Sequence, residues 1–195
     1  MWVAEAGEKV SAIGRRMQFF EVIERRQSVR AFASRELEPE KLSALLEAVR
    51  LAPSAGDCQA YEIVVVQEPS GKAALAEAAY GQEFVARAPV VLAFVADPGR
   101  NVEKYGDRGA SLYCVQDATI AAAYAQLATT ALGLASCWVG AFDERRVAAA
   151  LKASGSFRPV ALMPIGYAAE TPMRPPRRSL GEIVRSETFD RAAKG

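Results

Sequence analysis

Two groups of arginines are the residues of this chain best equipped for chemistry. Arg25, Arg26 and Arg30 surround Ser28 just beyond an apolar segment, and Arg174, Arg177 and Arg178 stand in a Pro-rich stretch near the C-terminus. A guanidinium is a planar fork of donors that can pair with two phosphate oxygens at once. In an extended turn, alternation puts Arg26, Ser28 and Arg30 on one side. A third segment, Pro53 to Gln59, carries small residues that let backbone N–H groups approach a ligand, together with the amide of Gln59. A fourth, Ser136 to Phe142, ends in Gly140-Ala141, where a planar ligand can come close to the backbone. Singly, each is also what a solvated charge run or an ordinary turn looks like.

The rest of the composition narrows the chemistry. With no histidine in 195 residues, Ser-His-Asp triads, Cys-His pairs and HExxH metal sites are excluded. Neither GxGxxG nor GxxxxGKS/T occurs, so phosphate has no glycine loop and is left to arginine. Chemistry that needs no imidazole is what a cofactor supplies while the protein binds and orients it. The net charge of +1 removes the electrostatic argument for nucleic acid. Three spaced cysteines without a CxxC pair, Cys58, Cys114 and Cys137, indicate a reducing compartment, here the cytoplasm. Cys114 and Cys137 read as core thiols, and Cys58 lies in a polar loop. Glu5 and Glu8 interrupt any signal-peptide core. The uncharged stretch from Ala118 to Phe142 is too Ala-, Thr- and Gly-rich for a membrane span and reads as a central helix buried on both sides.

These residues need positioning elements. Apolar spacing predicts a first helix from Met17 to about Arg26, with Phe19, Phe20 and Ile23 on one face, and a second from about Pro39 to before Pro53. Tyr61–Gln67 reads as a strand buried on both faces. A helix capped by Ser70 follows to about Tyr80, then a buried strand over 89–96 closed by an Asp97-Pro98-Gly99 turn. A long helix over 109–132 stops at Gly133. After it come a strand at 136–140, a helix from the Asp143 cap to Lys152, a strand over 159–167 and a short helix near 180–184. Residues 1–16 read as an extension, and residues 17–195 as a single domain of α+β or α/β class.

Taken in order, the segments resemble the nitroreductase family of FMN-dependent oxidoreductases over about Met17 to Phe189. The resemblance is carried by Phe-Phe-Glu-Val-Ile-x-x-Arg-x-Ser-x-Arg-x-Phe (19–32), Ala-Pro-Ser-Ala-Gly-x-x-Gln (52–59) and Gln116-Asp117-Ala118. It continues with Gly-Leu-x-Ser-Cys-Trp-x-Gly-Ala-Phe (133–142) and Arg-Arg-x-Leu-x-Glu-Ile-Val (177–184). It implies an α+β nitroreductase-like fold, a mainly antiparallel sheet flanked by helices, in an intertwined homodimer. Helix 109–132 would lie at the dimer core and the tail beyond Thr171 would embrace the partner. FMN would be the cofactor, NADH or NADPH the reductant, and a small nitroaromatic, quinone or related molecule the acceptor, in a ping-pong hydride mechanism with no obligatory protein acid or base.

By the same resemblance, Arg26, Ser28 and Arg30 grip the FMN phosphate, ribityl chain and pyrimidine edge, Arg30 adding positive charge near N1–O2. Pro53, Ser54, Ala55, Asp57 and Gln59 are the second subunit's contribution. Gly140 and Ala141 bring backbone close to flavin N5, and Arg177 and Arg178 complete the phosphate site. The chain departs from the family at Asp57, where Asn is usual, at Ala60-Tyr61 for Pro-Trp, and at Ser179 for Pro. Two neighbouring readings share these residues. One is a same-fold flavin enzyme performing flavin fragmentation or reductive dehalogenation; the other is a non-enzymatic flavin-binding dimer, to which Asp57 points.

Overall fold

Strand β2 (Val90–Ala96) is the spine of the molecule, every residue of it buried. The computed structural model describes residues 17–189. β2 lies between β1 (Tyr61–Val66) and β4 (Arg158–Gly166), and the short β3 (Ala135–Ser136) follows β4, giving the order β1-β2-β4-β3 with antiparallel neighbours throughout. Alternation along β2 divides the core. Val90, Leu92 and Phe94 meet α2 (Pro39–Arg50) and α6 (Cys114–Ala131) on one face, through Leu42, Leu45, Val49, Ala121, Ala122 and Ala125. Val91 and Ala93 meet α3 (Pro69–Ala78), α4 (Phe84–Arg87) and α7 (Glu144–Leu151) on the other, through Leu75, Val85 and Val147. Each fully buried Leu or Phe in these layers contributes about 1.5–3 kcal/mol relative to exposure. The mainly antiparallel sheet flanked by helices is the architecture expected.

Several elements differ from expectation, each for a physical reason. β1 is an edge strand with no buried residue; its run of four apolar residues does not reflect burial on both faces. The expected strand at 136–140 shrinks to Ala135–Ser136 and one bridge between Val139 and Leu162. Between them Cys137 N–H donates to Pro164 O, and proline has no N–H to return the bond. Asp97-Pro98-Gly99 is not a terminal turn but the start of α5 (Pro98–Arg108): Asp97 accepts from Gly99 N–H and Pro98 takes the first turn. The same residue types serve turns and helix starts, and the polar residues after them hid the helix. A π-helical turn over Gly109–Tyr113 leads into α6, where one continuous helix was expected. Glu68, not Ser70, occupies the N-cap of α3, with Pro69 after it. Asp143 caps α7 through the Arg145 and Arg146 N–H groups, as read from sequence.

Two helices keep apolar surface outside. In α1 (Phe19–Arg25) only Val22 is buried, while Phe19 and Phe20 are 62% and 75% exposed. The α1 face that the spacing defines therefore does not pack on this chain's own core. In α6 one face is buried and Ala123 and Tyr124 lie open, so the helix is not covered on both sides within one chain. The extension expected over residues 1–16 lies outside the described residues.

The chain between α1 and α2 is fastened to the end of β4. Tyr167 OH donates to Glu38 Oε2 at 2.6 Å and accepts from Lys41 Nζ at 2.9 Å, with the Arg35 guanidinium 3.8 Å above its ring. The Tyr167 hydrogen bond, with help from the Glu38 backbone and Arg35, holds the Glu38 carboxyl down at about 2. A depressed carboxyl stabilises the fold above its unfolded value and loses that contribution as pH falls through the folded one. Tyr167→Phe is therefore expected to lower the melting temperature at pH 7. The gap to wild type should narrow from about pH 4.5 downward and close near pH 2, as read by thermal melts across that range.

Candidate functional site

Arg26 follows α1 in extended backbone (φ −58°, ψ 122°) and is half-buried. Its guanidinium is held below its ordinary value first by burial and then by the positive charges of Arg177 and Arg174. Arg174 donates to the carbonyls of Glu24 and Arg26, tying the C-terminal segment to the end of α1. None of Arg26, Arg174 and Arg177 belongs to an ion pair among the described residues. Three uncompensated guanidiniums brought together from distant parts of a sequence form a place for an anion, whose charge would offset their mutual repulsion.

From Arg26 the chain continues beside β3. Ser28 bridges Ser136 in parallel, Val29 N–H donates to Ser136 O, and Val29 turns into the core. Val29 is thus turned inward between Ser28 and Arg30. The Glu170 carboxylate accepts the N–H groups of Arg30 and Ala31 at 2.6 and 3.0 Å, fixing the backbone that carries Arg30. Burial pushes the buried Cys137 thiol up, while the Arg30 charge and the Ser28 hydroxyl pull it the other way, so both face the strand that leads to Gly140. The Arg30 guanidinium lies 5.9 Å from the Phe84 ring centroid. Two residues before Phe84, Gln82 Nε2 donates to Ala141 O at 3.0 Å and to Ala79 O. Arg30 and Ala141 are thus each in contact with the 82–84 segment.

Glycine is not needed at 140 for the chain's own sake. A Cβ built there meets Trp138 at 3.5 Å, an ordinary contact, and the position is exposed. By contrast, a Cβ at Gly166 would meet Pro89 at 2.6 Å. Gly140 is thus a cradle that a side chain would fill. From Arg26 to Arg30 the chain reaches at most about 14 Å. The site suits a ligand with a phosphate at one end and a planar ring at the other, which is what FMN is.

The Pro53–Gln59 segment is elsewhere. Among the described residues, no hydrogen bond, ion pair or ring contact joins it to Arg26, Ser28, Arg30 or Arg177. A short 3-10 turn (Ala55–Asp57) gives it positive φ at Gly56, Asp57 and Gln59. Ser54 Oγ accepts from Gln59 N–H, and Ser54 O from Asp57 N–H. The Asp57 side chain makes no hydrogen bond among the described residues. Ala60, where the family's usual proline would have no N–H, donates to Asp117 Oδ2. Likewise Ser179, in place of the other proline, donates its N–H to Glu182 in a capping box at α8 (Leu180–Ile183). Arg178 bonds the Glu182 carbonyl in that helix, and of the paired arginines it is the Arg177 charge that acts on Arg26.

The comparisons with known proteins identify the family and the fold. The sequence model of the Nitroreductase family matches residues 23–82 and 77–167. The chain belongs to that family. It is 34% identical over 187 residues to an NADH dehydrogenase of Thermus thermophilus, covering 82% of this chain and 91% of that protein. It is 27% identical over 176 residues to the FMN reductase (NAD(P)H) of Bacillus subtilis, covering 84% of this chain and 71% of that one. A nitroreductase family protein of Streptococcus pneumoniae superposes with a TM-score of 0.79 at 26% identity, over 87% of this chain and all of its own. The nitroreductase fold read from the motifs is therefore present.

Sequence reasoning gave no role to Glu170, Gln82, Asn101 or Asp117. Glu170 and Gln82 act through bonds to backbone groups distant in sequence and carry no pattern. Asp117 did leave a signal, as the last charge before the long uncharged stretch. No helix of the described residues is long and apolar enough to cross a membrane, and no group of metal-ligating side chains occurs among them.

Proposed function

We propose that this nitroreductase-family chain is an FMN-dependent oxidoreductase that takes hydride from NADH or NADPH and reduces small acceptors such as nitroaromatics or quinones. The observation that carries this reading is the convergence of Arg26, Arg174 and Arg177 without a carboxylate ion pair among the described residues, on the chain that leads to Arg30. Bound FMN would supply a ring that accepts and returns hydride at N5. The chain's own residues bind and orient. Arg26 and Arg177 hold the phosphate, and Ser28 lies along the ribityl chain. Arg30, its backbone clamped by Glu170, sets positive charge at the pyrimidine edge, where reduction builds negative charge. Gly140 and Ala141 keep side chains away from the reacting face. Arg178 is left to α8.

In this reading Pro53, Ser54, Ala55, Asp57 and Gln59 complete the site of a second copy, since they do not reach the arginine group of their own. The uncovered apolar faces of α1 and α6 are the surface on which that copy packs, and the segment beyond Thr171 wraps it. The unpaired, buried Cys114 and Cys137 suit the cytoplasm.

Purified protein is expected to elute as a dimer with bound FMN, and its 450 nm band to bleach anaerobically with NADH or NADPH and return on adding a quinone. A colourless protein that rejects added FMN would overturn the proposal. FMN binding without bleaching would leave a flavin-binding dimer.

A further inference from the structure

Asp117, 1% exposed at the start of α6, is the buried carboxylate on which the 54–60 loop hangs. Its Oδ1 accepts from Ala55 N–H at 2.8 Å, and its Oδ2 from Ala60 N–H at 3.3 Å and from Asn101 Nδ2 at 3.1 Å. The two backbone bonds bracket the stretch in which Gly56, Asp57 and Gln59 have φ of +54°, +58° and +48°. Such backbone is strained at Asp57 and Gln59 and persists only where its surroundings impose it. On the other side, Arg100 donates to Cys58 O and Lys104 to Gly56 O, both at 3.0 Å. The loop's amides are held from within by Asp117 and its carbonyls from without by α5.

We propose that Asp117, supported by Asn101, is the positioning residue for the flavin-contacting loop, and that it acts on the flavin of the other subunit rather than its own. This rests on the FMN-dimer reading above. Asp117→Asn keeps the volume but turns one acceptor oxygen into a donor, so its new NH2 faces a loop N–H or the Asn101 amide. Asn101 can answer by turning its own Oδ1, which has no hydrogen-bond partner among the described residues. Ala55 and Ala60 cannot.

Asp117→Asn is expected to remain dimeric and to bind FMN roughly ten-fold or more weakly, the scale of a lost hydrogen bond to a charged acceptor. Thr129→Val is the control on the same helix, because among the described residues that buried hydroxyl bonds Ala125 O alone. It should lower the melting temperature and keep the wild-type FMN Kd. Mixed dimers of Asp117→Asn with Arg26→Ala, isolated through two tags, should recover one site in two at wild-type affinity, since one site then combines an intact arginine group with an intact loop. A wild-type Kd in Asp117→Asn, an equal loss in Thr129→Val, or no recovered site in the mixed dimer would each overturn the inference. If Asp117→Asn does not fold, Asn101→Ala decides. A several-fold weaker Kd in a stable dimer supports the assignment, and an unchanged Kd overturns it. Wild-type protein that binds no FMN overturns the proposed function instead.

Discussion

Arg26→Ala is expected to weaken FMN binding by about 1.5–3 kcal/mol, the cost of losing a hydrogen bond to a charged group. Arg26 sits where burial and the charges of Arg177 and Arg174 already disfavour its cation. The free protein bears that repulsion, and an incoming phosphate relieves it. The variant should therefore show effects of opposite sign in the two states. Without anion, its melting temperature should equal or exceed wild type, because a like charge has gone. With FMN or inorganic phosphate, wild type should gain stability that the variant does not, following the mass-action dependence of melting on ligand. Arg177→Ala should behave similarly. Arg178→Ala should leave FMN affinity unchanged, since its guanidinium is engaged with the Glu182 carbonyl. FMN titration by flavin fluorescence quenching, with melts of the free protein, gives each quantity. Equal affinities for Arg26→Ala and wild type would remove Arg26 from the site.

Gly140→Val separates folding from binding. In the free chain a Cβ there meets Trp138 at an ordinary 3.5 Å, and the position is exposed. The stability change should stay within about 0.5 kcal/mol, as for surface substitutions generally. With a flavin ring against the backbone, the added methyl groups overfill the contact at about 1–3 kcal/mol. FMN affinity should drop accordingly, and hydride transfer from NAD(P)H should slow as the ring is pushed away. Gly166→Ala is the counterpart, because its Cβ would meet Pro89 at 2.6 Å; it should destabilise the fold first. A Gly140→Val protein with wild-type flavin affinity and reduction rate would place the ring elsewhere.

Much of this was legible in the residue order. The alternation that turns Val29 to the core between Ser28 and Arg30 is a two-residue period, and the structure keeps it. Asp143 and Gly133 marked a helix start and stop because capping is local chemistry. Interactions that depend on a distant partner were not legible. Pro164 shortens β3 from across the sheet, and Glu170 fixes Arg30 from 140 residues away. The helix from Pro98 was hidden because its exposed face is polar and it has only Asn101 fully buried. Nor did the run Ile63–Val66 reveal an edge strand, since apolar side chains alone do not count the neighbours of a strand. The Pro/Arg segment likewise did not separate Arg177, whose charge acts on Arg26, from Arg178, which bonds the Glu182 carbonyl.

The bare face of α1 has a consequence for the cell as well as the test tube. In the proposed dimer, where a second copy covers Phe19, Phe20 and Ile23, part of the fold's stability depends on its own abundance. Dilution then acts as a denaturant, and the melting midpoint rises with protein concentration. A newly made chain passes through a solitary stage with three large apolar side chains in water, when it is most open to aggregation and most in need of chaperones.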